Sequence, residues 1–174
     1  LRRALQPFAR RVPSTWCKTL DEDETATRAA NTGVWYPVYQ PVRERWFDLC
    51  VVLESSPSVD LWSDTLAEFV RVLRNQGGFK SIVTYRWNDA LGKRVTSADG
   101  RRSYPFSHFF DRGRPRLMLL VTDGTSAQWR SGAAQTMVCE LGRSAAVSIV
   151  QLLPRRAWQH TAVGNPELSL FCER

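Results

Sequence analysis

Two short apolar runs, far apart in the chain, each stop abruptly at an acidic residue. Val51–Leu53 leads directly into Glu54, and Leu117–Val121 leads through Thr122 into Asp123. Continuous runs of Val, Leu and Ile are typical of parallel strands that are buried on both faces. Ligands of such sheets bind at the carboxyl ends of the strands. The pattern therefore predicts a buried parallel sheet that carries both acids at one edge.

The segments around these runs alternate between strand-like and helix-like patterns. Predicted strands cover residues 47–53, 80–87, 116–121 and 147–153, with a late strand at 168–171; predicted helices cover 58–76 and 126–142; a helical turn is predicted at 107–111 and a hairpin or long loop within 88–103. In the first helix, Trp62 and four later apolar residues fall on one face. This alternation predicts an α/β fold, a three-layer, doubly wound, Rossmann-like and mostly parallel sheet.

Residues 1–46 are predicted to be an N-terminal α/β extension that packs on the core, and residues 47–174 to be the main α/β domain. The acidic run that starts at Asp21 suits the first turn of a helix, which we expect to end near Gly33. Residues 34–39 read as an edge strand or extended segment, which Pro41 is expected to close. The chain starts at Leu1, so we expect it to be part of a longer protein.

Small polar residues follow the first apolar run. Glu54, Ser56 and Ser58, together with Asp123, supply hard oxygen ligands of the kind that Mg²⁺ or Mn²⁺ prefers. The alternative is structural, because serines and acids at strand ends also cap the helices that follow, with Ser58 or Asp60 as the expected cap here. Both interpretations place these residues at the same edge of the sheet.

Composition limits the class of protein. The formal charge is +7, and a basic surface attracts nucleic acid or acidic partners. The arginine pairs are dispersed and no nucleic-acid-binding signature accompanies them, so nucleic acid is the less favoured partner. No apolar run is long enough for a membrane span. The four cysteines form no CxxC pair, and Cys50 and Cys139 lie in segments where buried free thiols are common, which predicts a reduced, cytoplasmic protein.

The two strand-end motifs resemble those of the von Willebrand factor A (vWA) domain. That family carries Asp-x-Ser-x-Ser after its first strand, matched here by Glu54, Ser56 and Ser58, and Thr-Asp-Gly after a later strand, matched at 122–124. The resemblance implies a metal-ion-dependent adhesion site in which a partner's carboxylate completes the shell of Mg²⁺ or Mn²⁺. It also implies a loop threonine, for which Thr96 is the first candidate and Thr84 the second. Glu54 replaces the family's Asp, so the site is degenerate.

The chain also resembles, more closely, divergent vWA-like domains of large bacterial multidomain proteins linked to MoxR-type ATPases and to conflict or immunity systems. The matching segments include 45–49, 56–58, 76–79, 122–130 and 150–154. The resemblance implies a non-enzymatic protein-interaction or scaffold module, whose partner is another protein or a neighbouring domain of the same chain. The expected partner-binding residues are Arg94, Arg101, Arg102, Thr125 and Trp129.

Two other functions remain open. Asp123 resembles the strand-end acids of Rossmann-like metal-dependent phosphohydrolases and nucleases, although no second Asp follows Glu54 and no phosphate-binding glycine loop is present. The third function is simple binding of nucleic acid through the basic surface. Trp62 and Trp129 lie on helix faces that should pack into the sheet, so both are also predicted to be core residues.

Overall fold

The computed structural model describes residues 6–87, 94–109 and 115–164 of the chain. They form two compact units, which are described separately. One unit holds the residues up to Trp46 together with Gly77–Lys80, and the other holds Phe47–Gln76 and the residues from Ser81 onward. The late strand predicted at 168–171 lies outside the described residues, as do 88–93 of the predicted loop and 110–111 of the predicted turn.

The first unit is a two-stranded ribbon with one helix. Its elements are a 3₁₀ helix at Gln6–Ala9, β1 at Arg11–Leu20, α1 at Glu22–Thr32 and β2 at Tyr39–Arg45. The predicted helix is confirmed, since Asp21 caps it by accepting a hydrogen bond from the Glu24 N–H at 3.0 Å, and Gly33 ends it. Lys80 Nζ lies 2.9 Å from a carboxylate oxygen of Glu44 within the same unit.

Strand β1 was not expected from the sequence. Nine of its ten residues are partly or fully exposed, so it carries no burial pattern to detect. It pairs antiparallel with β2, where Pro41 lies opposite Lys18. Pro41 was expected to close the extended segment but lies inside β2. A ribbon of only two strands tolerates this, because each strand has an edge at which a missing N–H breaks no pairing.

The second unit contains a six-stranded sheet. Its strands are β3 (Asp48–Glu54), β4 (Ser81–Trp87), β5 (Arg94–Ser97), β6 (Ser103–Pro105), β7 (Arg116–Thr122) and β8 (Ala146–Gln151), in the order β6-β5-β4-β3-β7-β8. The pairs β3–β4, β3–β7 and β7–β8 are parallel, whereas β5 runs antiparallel to both its neighbours. The predicted α/β class and mostly parallel, Rossmann-like sheet are confirmed, and so is a hairpin within 94–105.

Both long helices predicted in this unit are interrupted. The helices are α2 (Pro57–Asp60), α3 (Ser63–Asn75), α4 (Ala127–Arg130) and α5 (Ala133–Gly142), with 3₁₀ helices at Phe106–Phe109 and Arg155–His160. Gly132 separates α4 from α5 at a φ of +80°, a left-handed conformation that favours glycine. Trp62 lies at the start of α3 with 40% of its surface exposed, so its predicted core position was wrong. The spacing of apolar residues continues across both breaks, so the sequence pattern does not show that the helices are interrupted.

Helices cover both faces of the sheet. On one face a core cluster joins Cys50 and Val52 to Met137 and Leu141 of α5. Because successive side chains of a strand point to opposite faces, Leu53 lies on the other face, beside α3. Burial raises the pKa of the Cys50 thiol from 9.0 to about 11, with Arg116 opposing the shift and Asp48 adding to it. Cys139 is exposed, contrary to expectation.

Candidate functional site

The carboxyl ends of β3 and β7 lie side by side at the centre of the sheet. Leu53 is the register partner of Val121, which brings the next residues, Glu54 and Thr122, to the same level. Both are almost completely buried, with 2% and 0% of their surfaces exposed. The Thr122 hydroxyl donates a hydrogen bond to Oε2 of Glu54. The first predicted metal ligand therefore has a partner within the protein.

The Thr122 hydroxyl is the centre of a small buried network. It accepts hydrogen bonds from the backbone N–H of Gly124 at 2.9 Å and from the indole Nε1–H of Trp129 at 2.8 Å. A hydroxyl has one donor and two acceptor positions. All three are used here, so Thr122 links two strands to the start of α4. The sequence motif at 122–124 contains Thr122 but does not predict this role.

The Asp123 carboxylate accepts hydrogen bonds from its own turn. Its Oδ1 accepts hydrogen bonds from the backbone N–H of Thr125 at 3.0 Å and from the Thr125 hydroxyl at 2.9 Å. Only 2% of Asp123 is exposed. Its carbonyl oxygen also accepts a bond from the side chain of Gln151 at 3.1 Å. This is the pattern of an acid that stabilises a loop.

Ser56 and Ser58 form a separate pair. Their hydroxyl oxygens lie 3.1 Å apart, and the Ser56 oxygen accepts a bond from the Val59 N–H at 3.3 Å. Ser56 is therefore the cap of α2, in the place where Ser58 or Asp60 was expected. Within the described part of the chain, no hydrogen bond joins either serine to Glu54 or Asp123.

Thr96, the candidate loop ligand, lies in β5 in the antiparallel part of the sheet. Its hydroxyl donates to the carbonyl oxygen of Arg86 at 3.3 Å, and the two residues are register partners. Among residues 6–87, 94–109 and 115–164, no three His, Cys, Asp or Glu side chains lie together as a metal-binding group. The five predicted ligands are thus distributed over local contacts that each have a structural role.

Among the described residues, two buried polar atoms near the ends of β3 and β4 have no hydrogen-bond partner. They are Oε1 of Glu54 and the indole Nε1 of Trp87, and these two residues are register partners on β3 and β4. An indole N–H is a donor only and does not ligate a cation. In this conformation the donor set does not fit the octahedral oxygen shell that Mg²⁺ requires. Metal binding at these residues stays a prediction.

The chain after β8 returns to the same edge. The N–H of Ala162 donates to the carbonyl oxygen of Gly124 at 3.1 Å. A Cβ atom on Gly124 would lie 2.7 Å from Cγ2 of Val163, which is closer than side chains approach. The returning segment therefore packs directly on the Asp123–Gly124 turn. The residues after Pro154 carry no regular sequence pattern, so this cover was not foreseen.

The predicted partner-binding residues divide into two groups. Arg101 and Arg102 are exposed at the turn between β5 and β6, and Arg94 is exposed on β5, where its guanidinium donates to the Ser103 hydroxyl at 2.9 Å. Trp129 is only 3% exposed and offers no surface to a partner. Its predicted core position is confirmed. Thr125 is exposed, with its hydroxyl bonded to Asp123.

The β5–β6 turn is fixed by its own hydrogen bonds. The N–H of Ser97 donates to the carbonyl oxygen of Arg102 at 2.8 Å, and the N–H of Arg102 donates to the Ser97 hydroxyl at 3.1 Å. The Asp99 carboxylate accepts bonds from the Ser97 hydroxyl and from the N–H of Arg101. The Ser97 hydroxyl and the Arg101 N–H hold the pKa of Asp99 below its usual value. The basic residues are therefore carried on a defined hairpin.

No protein-family model matches the chain, and no curated protein matches its sequence. In the described residues, no helix is both long and apolar enough to cross a membrane.

Proposed function

We propose that the chain is a non-enzymatic, vWA-like protein-interaction module of a larger bacterial protein, in the cytoplasm. In this proposal the strand-end motif is retained for stability, and an acidic protein surface is bound at the "basic hairpin", defined here as β5, β6 and their turn. The motif resemblance suggests that the larger protein containing this chain is an immunity or signalling protein associated with an NTPase.

One contrast carries the proposal. The two strand-end acids are buried and bonded to Thr122 and Thr125, whereas the arginines of the basic hairpin are exposed. A hydrolytic centre needs accessible groups that reach a substrate. An exposed cluster of arginines on a fixed hairpin instead favours recognition of carboxylates.

The partner class is tested with a fluorescent poly-glutamate peptide, whose binding is followed by anisotropy. Replacing Arg94, Arg101 and Arg102 with Glu should weaken binding by about tenfold or more, since each reversed charge contributes a fraction of the 1.4 kcal/mol that makes a tenfold change. The matched control reverses the same number of exposed charges elsewhere, at Lys18, Arg43 and Arg143. Equal losses in both variants would show only an effect of net charge and would contradict the proposal.

Two further assays separate the alternatives. Metal-dependent cleavage of a phosphodiester that disappears in Asp123→Asn would establish the hydrolase or nuclease instead. Duplex DNA that binds more tightly than the peptide, with an affinity that falls steeply with salt, would establish nucleic-acid binding. Cleavage is not expected, because the Asp123 carboxylate is bonded within its turn and Glu54 and Asp123 are both buried.

A further inference from the structure

A cavity of about 280 Å³ lies between α3 and the sheet, within the second unit. Its walls include Leu53 of β3 and Leu66 and Val70 of α3, which are apolar, and Thr84 and Arg86 of β4. Ligand pockets are typically concave, mainly apolar and supplied with a few polar groups that orient the ligand. This cavity has that character, and it lies on the face of the sheet opposite the core cluster of α5.

Two cations border the cavity. Arg74 comes from the last turn of α3 and Arg86 from β4, so the two guanidinium groups approach from different elements. Among the described residues, neither guanidinium makes an ion pair or a hydrogen bond. By contrast, Arg71 on the same helix donates to both carboxylate oxygens of Glu68, at 2.7 and 2.8 Å. Arg74 and Arg86 are thus available to an anion.

A buried hydroxyl also faces this side of the sheet. Among the described residues, Oγ1 of Thr84 has no hydrogen-bond partner, and it is inaccessible to solvent. An unpaired buried hydroxyl carries a desolvation cost, which a ligand oxygen would remove once the side chain rotates toward the cavity. Thr84 lines the cavity, and its register partner is Val51. The walls therefore combine an apolar surface, this hydroxyl, two cations that make no ion pair within the described residues, and two acids, Glu54 and Asp60.

We infer that this cavity binds a small carboxylic acid with an apolar tail. The tail would lie against Leu53, Leu66 and Val70. The carboxylate would pair with Arg74 or Arg86 and accept a hydrogen bond from the Thr84 hydroxyl. Arginine suits this role because its planar guanidinium matches a carboxylate. At roughly 30 Å³ for each water-sized group, the cavity holds about nine such groups. This size corresponds to an acid such as octanoate. The inference is independent of the proposed partner at the basic hairpin.

Two acids oppose an anion and sharpen the test. Glu54 and Asp60 also line the cavity and carry the opposite charge to the two arginines. Glu54 is buried and bonded to Thr122, whereas Asp60 is exposed on α2. Asp60 forms no ion pair with either arginine in the described structure. Asp60→Asn should therefore bind octanoate more tightly than the unmodified protein, while substitution of the arginines should bind it more weakly.

The experiment titrates the protein with octanoate and follows ¹H–¹⁵N chemical shifts and binding heat. We expect a dissociation constant of about 0.1–1 mM, in keeping with a ligand of this size. Shift changes should centre on α3 and β4. Arg74→Gln and Arg86→Gln should each weaken binding by about five- to tenfold, which is less than the loss of a buried charged hydrogen bond because both arginines are exposed. The matched control, Arg71→Gln on the same helix, should bind like the unmodified protein.

Octan-1-ol and octylamine test the chemistry of the head group. Both carry the same tail as octanoate, and both should bind at least about tenfold more weakly if the arginines recognise a carboxylate. Equal binding of all three compounds would overturn the inference, as would absence of binding at millimolar octanoate or equal affinity of the Arg71, Arg74 and Arg86 variants. Each substituted arginine is exposed, so folded spectra are expected for all three variants.

Discussion

The hydroxyl of Thr122 donates a hydrogen bond to the carboxylate of Glu54, a residue 68 positions earlier in the chain. The contact joins the ends of two neighbouring parallel strands where both side chains are buried. The same hydroxyl accepts the indole N–H of Trp129 and the backbone N–H of Gly124. One threonine therefore satisfies three groups that are removed from water.

Replacing Thr122 with Val should destabilise the protein by about 3 kcal/mol, because three buried groups lose their partner at once. Thr122→Ser keeps the hydroxyl and loses only a methyl group, so it should cost about 1 kcal/mol. Urea denaturation of both variants measures the difference in the free energy of unfolding. Equal stability of the Val and Ser variants would show that the network contributes nothing.

Millimolar Mg²⁺ or Mn²⁺ should leave the Tm of the protein unchanged. The reason is that both acids are buried and each has a carboxylate oxygen bonded within the protein, Glu54 to Thr122 and Asp123 to Thr125. A ligand that binds the folded state at 100 times its Kd adds about 2.7 kcal/mol of stability, which differential scanning calorimetry detects as a clear rise in Tm. A rise that disappears in Asp123→Asn would mean that the strand-end acids do bind metal.

Gly124→Ala should be much more costly than Gly100→Ala. Both glycines have a φ of +70°, so an alanine at either position should introduce the same backbone strain of about 1–2 kcal/mol. Only at Gly124 does the new Cβ meet a neighbour, Cγ2 of Val163 at 2.7 Å. Overpacking should bring the total cost there to about 2–4 kcal/mol. The double variant with Val163→Ala should recover the difference, as measured by thermal unfolding.

Stability should fall as the pH rises from about 9 to about 11, in part through Cys50. Its pKa is raised from 9.0 to about 11 by burial, so the unfolded chain loses the thiol proton before the folded protein does. The contribution of Cys50 to the free energy of unfolding is fully present below pH 9.0. It is lost between pH 9.0 and about 11, by up to about 3 kcal/mol. Cys50→Ala should flatten this part of the profile relative to the unmodified protein. Parallel profiles would contradict the assignment to Cys50.

The central strands were predictable because burial on both faces leaves an unbroken apolar run. The predicted β3 differs from the observed strand by one residue at each end, and the predicted β7 differs by one residue at its carboxyl end. Glu54 and Asp123 follow the two apolar runs as expected. Strand β1 was not predictable in this way, since it pairs only with β2 and buries little. The breaks at Trp62 and Gly132 were missed because helical periodicity continues across them.

The roles of the site residues were harder to foresee than their positions. Strand parity places Thr122 on the same face as Met118 and Leu120, so its burial follows from the sequence. The identity of its partners does not, because it depends on Trp129 reaching back from α4. The cover over Gly124 depends on a segment after β8 that carries no regular pattern. Such contacts arise only when the chain is folded.

The Glu54–Thr122 contact has a consequence for the descent of this sequence. A substitution that removes the hydroxyl leaves a buried carboxylate unsatisfied, while one that removes the carboxylate leaves a hydroxyl proton without an acceptor. Either change alone is penalised, and a paired change to two apolar residues is nearly neutral by comparison. Positions 54 and 122 should therefore covary among relatives. Relatives with a polar residue at both positions should have kept the hydrogen bond between the two central strands.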